Sequence, residues 1–334
     1  MQQLNRHDNI FYIEIDYNES GIIDLMHGLI KYMIRRTVME KCIKSQKKLR
    51  DNVLWIFIVS FFVITCGDIL ACIIVPEINK EYAFWYTFKE YMVFLSIWFS
   101  VMVAILICKE NRYMINEIKE NEHGNNSRYL IIGLIVGFLL NIISAIIALM
   151  NGDISLQFKE LNFFALFFLF VAVFVQSSAE EVLCRGFIYQ RLLNSTGKPY
   201  IAVFLNSLFF AIIHLLNDGM SIVAFYDILI TGIFFSLIVY YFDSLWMAMG
   251  IHAMWNFTQS ILLGLPNSGA SFPYSVFVLE RNAYQSSFAY NIEFGLEGTI
   301  LSSMIMTICC VGLYIWEKHN RKLKSKQNNQ DIII

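Results

Sequence analysis

Charge is scarce in this sequence. Only 16% of its 334 residues are Asp, Glu, Lys or Arg, and 57% are hydrophobic; an ordinary soluble domain carries about 25% charged residues. That scarcity excludes a soluble globular chain of this length. It predicts apolar runs of about 20 residues, each able to cross a bilayer as a helix. The seven cysteines form no C-x-x-C pair. Most lie in apolar stretches and read as small buried hydrophobes, which excludes a disulfide frame or a zinc knuckle. No cleavable signal peptide is visible, since the first apolar run starts past residue 50 and is too long for one. There is no internal repeat and no H-E-x-x-H, the usual helical zinc signature. No serine or cysteine sits in a convincing nucleophile setting, and nothing points to a nucleic-acid partner.

What is present is an all-α pattern: a polytopic membrane bundle of about eight transmembrane helices, with apolar runs at 53–75, 91–108, 129–150, 161–182, 200–216, 221–242, 245–264 and 298–316. The net charge of −2 says little, but its distribution says more. Basic residues precede the first run and gather between runs two and three (Lys109, Arg112, Lys119, Arg128), between four and five (Arg185, Arg191, Lys198) and after the eighth (Lys318, Arg321, Lys322, Lys324, Lys326). The alternate connections are neutral or acidic, so the positive-inside rule predicts both termini in the cytoplasm. Residues 1–51 read as a cytoplasmic or interfacial segment, with 22–34 either a helix lying on an anionic membrane surface or part of a solvated tail. Residues 52–316 read as the bundle and 317–334 as a basic cytoplasmic tail. The longest exterior connection, 265–297, holds Pro266 and Pro273 and is placed to pack over the mouth of the bundle.

The stretch 179–186 reads A-E-E-V-L-C-R-G and directly follows an apolar run. Unpaired charges there are costly to desolvate. On a helix Glu181 and Arg185 are four apart and share a face, so they can pair. Glu180 is rotated about 100° from its neighbour and needs another partner, which makes it the candidate catalytic carboxylate.

Of six histidines, only His214 and His252 lie within apolar runs. His214 follows Phe210 by one turn, and Asn256 follows His252 by one turn. Ionisable groups inside a span face the bundle interior or a wet cavity, so Glu180, His214, His252 and Asn256 are candidates for one polar pocket. Depth is the weak step: Glu180 falls near the cytoplasmic end of its run, whereas His214 lies about 22 Å along its own. A carboxylate and an imidazole around one water make a general base, and a second imidazole with an amide can stabilise an oxyanion. A Glu/His/His set can equally hold one zinc ion, so the cofactor stays open between none and one divalent metal. Taken singly, each residue has a structural reading as well: a helix-end ion pair for Glu181 and Arg185, interhelical hydrogen bonding for a histidine or Asn256. Asp68 and Asp227 read as structural acids.

These motifs resemble the CAAX protease and bacteriocin-processing (CPBP, or Abi) family of intramembrane proteases, which includes the type II CAAX prenyl endopeptidases. The family pattern E-E-x-x-x-R, F-x-x-x-H and H-x-x-x-N is met by Glu180, Glu181 and Arg185, by Phe210 and His214, and by His252 and Asn256. The resemblance covers about 163–264 and implies an eight-helix bundle with a cavity open to the cytosol. It implies that Glu180 activates water with help from His214, that His252 and Asn256 bind the oxyanion, and that Glu181, Arg185 and Phe210 organise the site. The family is labelled metalloprotease, yet similar enzymes are read as glutamate-dependent. The expectation is an integral, multi-pass membrane endopeptidase that acts on a membrane-associated peptide or protein, with lipids as its other partners. A composition rich in Ile, Asn and Lys leans towards a bacterial cell membrane. The rivals are a non-catalytic bacteriocin-immunity or membrane scaffold protein of the same fold, and a transporter using Glu180 as proton carrier, which the lack of a repeat weakens.

Overall fold

The computed structural model describes residues 52–280 and 284–331, with side chains through 320. The expectations for the segment 1–51 lie outside the described residues. The helices are α1 (Val53–Ile74), α2 (Ala83–Met92), α3 (Leu95–Ile107), the short α4 (Met114–Ile118), α5 (Ser127–Met150), α6 (Phe163–Glu181), α7 (Tyr189–Thr196), α8 (Pro199–Ile213), α9 (Ile222–Phe242), α10 (Leu245–Asn256) and α11 (Ile300–Asp331). Two π-helical stretches interrupt the pattern: Val182–Ile188 joins α6 to α7, and Phe257–Leu262 extends α10. The last helix runs on past 316, into the segment expected as a tail.

Among the described residues six helical stretches are long and apolar enough to cross a membrane, which makes this an integral, multi-pass membrane protein. Two of the eight expected runs fall short of that length. Helix α8 has 15 residues and α10 has 12 before its π-helical turn. The run predicted to end at 182 instead continues to Thr196, as a 34-residue helical stretch from Phe163.

Local chemistry sets the ends. Asn52, Asn126, Asn162, Ser221 and Ser244 each accept a backbone N–H at the start of a helix through the side-chain oxygen. The turn between α7 and α8 has Gly197 in the left-handed region (φ 64°) just past one helix and Pro199 opening the next, the usual division of labour between those residues.

Helices α5 and α10 pack with their backbones almost touching. A Cβ added at Gly133 would lie 2.3 Å from the Met247 carbonyl oxygen, one at Gly137 2.2 Å from that of Ile251, and one at Gly250 2.7 Å from that of Leu130. Small residues four apart permit this approach where no hydrophobic drive exists between helices in lipid. The main apolar core gathers residues of α1, α3 and α6 to α10, among them Val101, Phe187, Phe209 and Trp255.

The connections sort onto two faces of the bundle. On the first, β1 (Leu156–Phe158) pairs antiparallel with β2 (Phe277–Leu279). Tyr274 donates its N–H to Thr87 near the start of α2, and Asn217 donates to the Ser268 carbonyl. On the second, Asn125 accepts the N–H groups of Leu245 and Trp246, and Trp246 donates its indole N–H to Ile118. Asp227, expected as a structural acid, accepts the Gly298 N–H at 2.9 Å and so ties the end of the long connection 263–299 to α9.

Candidate active site

The two carboxylates take opposite environments, as their rotation on the helix requires. Glu181 is fully buried, as is Arg185, and Arg185 Nη1 lies 2.9 Å from Glu181 Oε1. The guanidinium also donates to the Gly232 carbonyl at 3.0 Å and to Ser236 Oγ at 3.4 Å. Its carbon sits 4.6 Å from the centre of the Phe210 ring and 5.3 Å from that of Phe235, within cation–π range. Every face of this buried cation therefore meets an anion, an acceptor or an aromatic ring, which a buried charge requires.

Glu180 faces a cavity instead. Its Oε1 accepts a hydrogen bond from Gln176 Nε2 at 2.5 Å, one turn back on α6, and its Oε2 lies 3.8 Å from His252 Nε2. His252 Nδ1 is 2.9 Å from Glu181 Oε1. A carboxylate accepts, so Nδ1 carries the hydrogen and Nε2 is the nitrogen turned towards Glu180. Phe235 stacks on this imidazole at 5.2 Å between ring centres. His214 caps the end of α8 with Nδ1 2.7 Å from the Phe210 carbonyl oxygen. A carbonyl cannot donate, so here too Nδ1 carries the hydrogen, leaving Nε2 as the uncommitted ring nitrogen.

The expected mismatch in depth does not arise. Glu180 lies about 24 Å of helix before the Gly197 turn, and His214 about 22 Å beyond it, because the α6–α7 stretch runs on to Thr196. Phe210 bridges the two histidines, 4.6 Å from the His214 ring and 6.4 Å from that of His252.

Asn256, which the resemblance pairs with His252 as an oxyanion donor, has both ends of its amide engaged in this structure. Its Nδ2 donates to Gln176 Oε1 at 3.1 Å and to Ser177 Oγ at 3.2 Å, and its Oδ1 accepts from Asn267 at 3.0 Å. As placed, it holds Gln176, which in turn holds Glu180. Gln176, Asn267 and Glu297 are site residues that sequence reasoning missed. Gln176 had a local signal, being four residues before Glu180 on an apolar helix. Asn267 and Glu297 lie in the long connection, where no periodicity marks them. Glu297 accepts the Ser268 hydroxyl and lines the cavity.

The cavity has a volume of about 410 Å³ and is lined by Glu180, His214, His252 and Asn256, with Glu90 and Glu297 among its other acids. That is enough for a few residues of extended chain, within the usual range for ligand pockets. Both π-helical stretches start just after site residues, at Val182 and at Phe257. Such bulges re-aim side chains and recur at functional sites. Among the described residues no three His, Cys, Asp or Glu side chains gather closely enough to ligate one metal ion.

Residues 162–258 match the family model described as type II CAAX prenyl endopeptidase Rce1-like. The chain is thus similar to that membrane-protease family over less than a third of its length. The match spans the whole set from Gln176 to Asn256 and stops short of Asn267 and Glu297. No curated protein matches the chain. The matched segment comprises α6 to α10, while α1 to α5, the long connection and α11 lie outside it.

Proposed function

We propose that the chain is an intramembrane endopeptidase that hydrolyses a peptide bond of a membrane-associated peptide or protein, with water as the nucleophile. The observation that carries the reading is the pairing of Glu180 with His252 across the cavity wall, with the carboxylate held by Gln176 and the imidazole held by Glu181. In this scheme Glu180 takes a proton from water as the oxygen attacks the scissile carbonyl. It then returns the proton to the leaving amine, so one carboxyl group serves as base and then as acid. His252 in its imidazolium form donates from Nε2 to the oxyanion that develops. His214 keeps Nε2 for the attacking water. Glu181, Arg185 and Phe210 fix His252 and the helix that carries Glu180, and Asn256 acts through Gln176.

The family match extends to substrate class only as CAAX-type processing, so the substrates proposed are a prenylated C-terminus or a membrane-bound peptide precursor. A non-catalytic immunity or scaffold protein would not need Glu180 to be ionisable. The test is turnover in proteoliposomes that also contain membrane extract from the host cell, with new peptide ends read by mass spectrometry. Wild-type chain is expected to generate new ends, and Glu180→Gln, at equal amount and equal thermal stability, to generate none. New ends of the same kind from Glu180→Gln would remove the proposal.

A further inference from the structure

The cavity belongs to one face of the bundle. Apart from helix residues, its wall is made by His214, Asn217 and Asp218 from the connection 214–221 and by Asn267, Ser268, Gly269, Ala270, Ser271, Phe272 and Glu297 from the connection 263–299. It extends from the half-buried Glu180 and the buried His252 to Asp218, which is exposed. No residue of 108–126, of the Gly197 turn or of the α9–α10 turn lines it. Those connections form the opposite face, closed off from the site by the buried residues Arg185, Phe187 and Ile188.

The two faces carry very different numbers of basic residues. On the cavity face, the connections 75–82, 151–162, 214–221 and 263–299 hold Lys80, Lys159 and Arg281, and Lys89 of α2 pairs with Glu77 there. The opposite face has Lys109, Arg112, Lys119, Arg128, Arg191 and Lys198 at its connections and helix ends. Helix α11 also ends there, since Trp316 stacks on Phe242 at 5.0 Å between ring centres, and the sequence continues with Lys318, Arg321, Lys322, Lys324 and Lys326. Lys and Arg near span ends are retained in the cytoplasm, and the summed asymmetry is large, although the short α9–α10 turn adds no basic residue to it.

We infer that the cavity opens on the non-cytoplasmic side of the membrane, so the peptide it takes is one presented from outside the cytoplasm or from the outer leaflet. This is opposite to the cytosolic opening that the family resemblance implies. It rests on the protease reading only for what enters the cavity, where it favours the membrane-bound peptide precursor over a prenylated C-terminus presented on the cytoplasmic leaflet; the direction in which the cavity faces is independent of catalysis.

The test is thiol labelling in intact cells. In a chain with Cys42, Cys72 and Cys108 replaced by serine, Asp218→Cys places a thiol at the cavity mouth and Glu122→Cys places one on the opposite face. Both parent residues are exposed. A membrane-impermeant maleimide is expected to label Asp218→Cys in intact cells and Glu122→Cys only after permeabilisation, above the labelling of the parent chain. Any other pattern overturns the inference: protection of Asp218→Cys in intact cells, or labelling of both sites without permeabilisation. Because labelling reads orientation whether or not the chain cleaves anything, loss of this inference and loss of the protease reading are separate results.

Discussion

His252 Nδ1 and Arg185 Nη1 meet on the same oxygen, Glu181 Oε1, each at 2.9 Å. One buried carboxylate therefore neutralises a fully buried arginine and orients the imidazole that faces Glu180. Removing it leaves Arg185 charged and unpaired in the core, for which about 3–5 kcal/mol is the usual cost. Glu181→Gln is expected to lose roughly that much stability, read as a fall in thermal unfolding temperature in detergent. The paired change Glu181→Leu with Arg185→Met removes both charges. It is expected to recover part of the stability but none of the turnover, because His252 is still left without its anchor. Recovery of turnover along with stability would reduce Glu181 to a structural role.

The same residues show how far the sequence could be read. The spacing of Glu181 and Arg185 gave their ion pair, because a helix brings residues four apart together whatever surrounds it. Spacing also grouped His252 with Asn256. What it left out was the continuation of the α6 stretch to Thr196, since the π-helical turn at Val182–Ile188 buries polar and small residues that read as the end of a span. That is why Glu180 and His214 had seemed to lie at different depths. Asn267 and Glu297 were out of reach for a different reason. They arrive from a loop whose path is set by tertiary contacts such as Gly298 to Asp227, and no local pattern records those.

Gln176 links Glu180 to Asn256, and it accepts a hydrogen bond from Ser177 at 3.0 Å as well. If its part is to aim the carboxylate, Gln176→Ala should lower kcat by about 10–100-fold, the usual effect of losing a supporting hydrogen bond, with a smaller change in KM. Asn256→Ala should do the same by the same route, so the double variant should be no worse than about the larger single effect. A double-mutant cycle checks this, because residues in one chain of hydrogen bonds are non-additive. Full additivity would mean that Asn256 acts on the reaction by a separate path.

Glu297 gives the site a pH-dependent cost in stability. Burial pushes its carboxyl up from the ordinary 4.5, and the Ser268 hydroxyl with the His252 and His214 charges only partly offsets this. A folded-state value above the unfolded one means that the native chain binds more protons between the two. The stability contributed by the protonated form is therefore full below about pH 4.5 and declines as pH rises through the folded-state value. Glu297→Gln lacks this ionisation. Its unfolding temperature relative to wild type should rise steadily from about pH 4.5 upwards and then level off. A constant difference across that range would remove the argument.

The proposed base is a carboxylate that takes its proton directly from water. Turnover is therefore expected to survive a strong chelator such as EDTA, followed by transfer to metal-free buffer. Loss of turnover restored by about one equivalent of zinc would replace the glutamate-base mechanism with a metal-assisted one.

The contact between α5 and α10 sets where His252 stands, because Ile251, whose carbonyl oxygen would lie 2.2 Å from a Cβ at position 137, is its immediate neighbour. The obstacle is backbone, so it cannot swing aside as a side chain does, and the helices must separate. Gly137→Ala is expected to destabilise the protein by at least the ~1–3 kcal/mol typical of overpacking and to shift α10 outward. A shift of that kind moves His252 away from both Glu180 and Glu181. Turnover should then fall in the fraction that stays folded, a loss that stability alone would not produce. Gly312→Ala is the matched control on α11, since a Cβ there meets nothing within 4 Å. It should leave unfolding temperature and turnover unchanged. If Gly137→Ala lowered stability while the folded fraction kept full turnover, the helix contact would bear on folding alone and the site would be positioned by some other element.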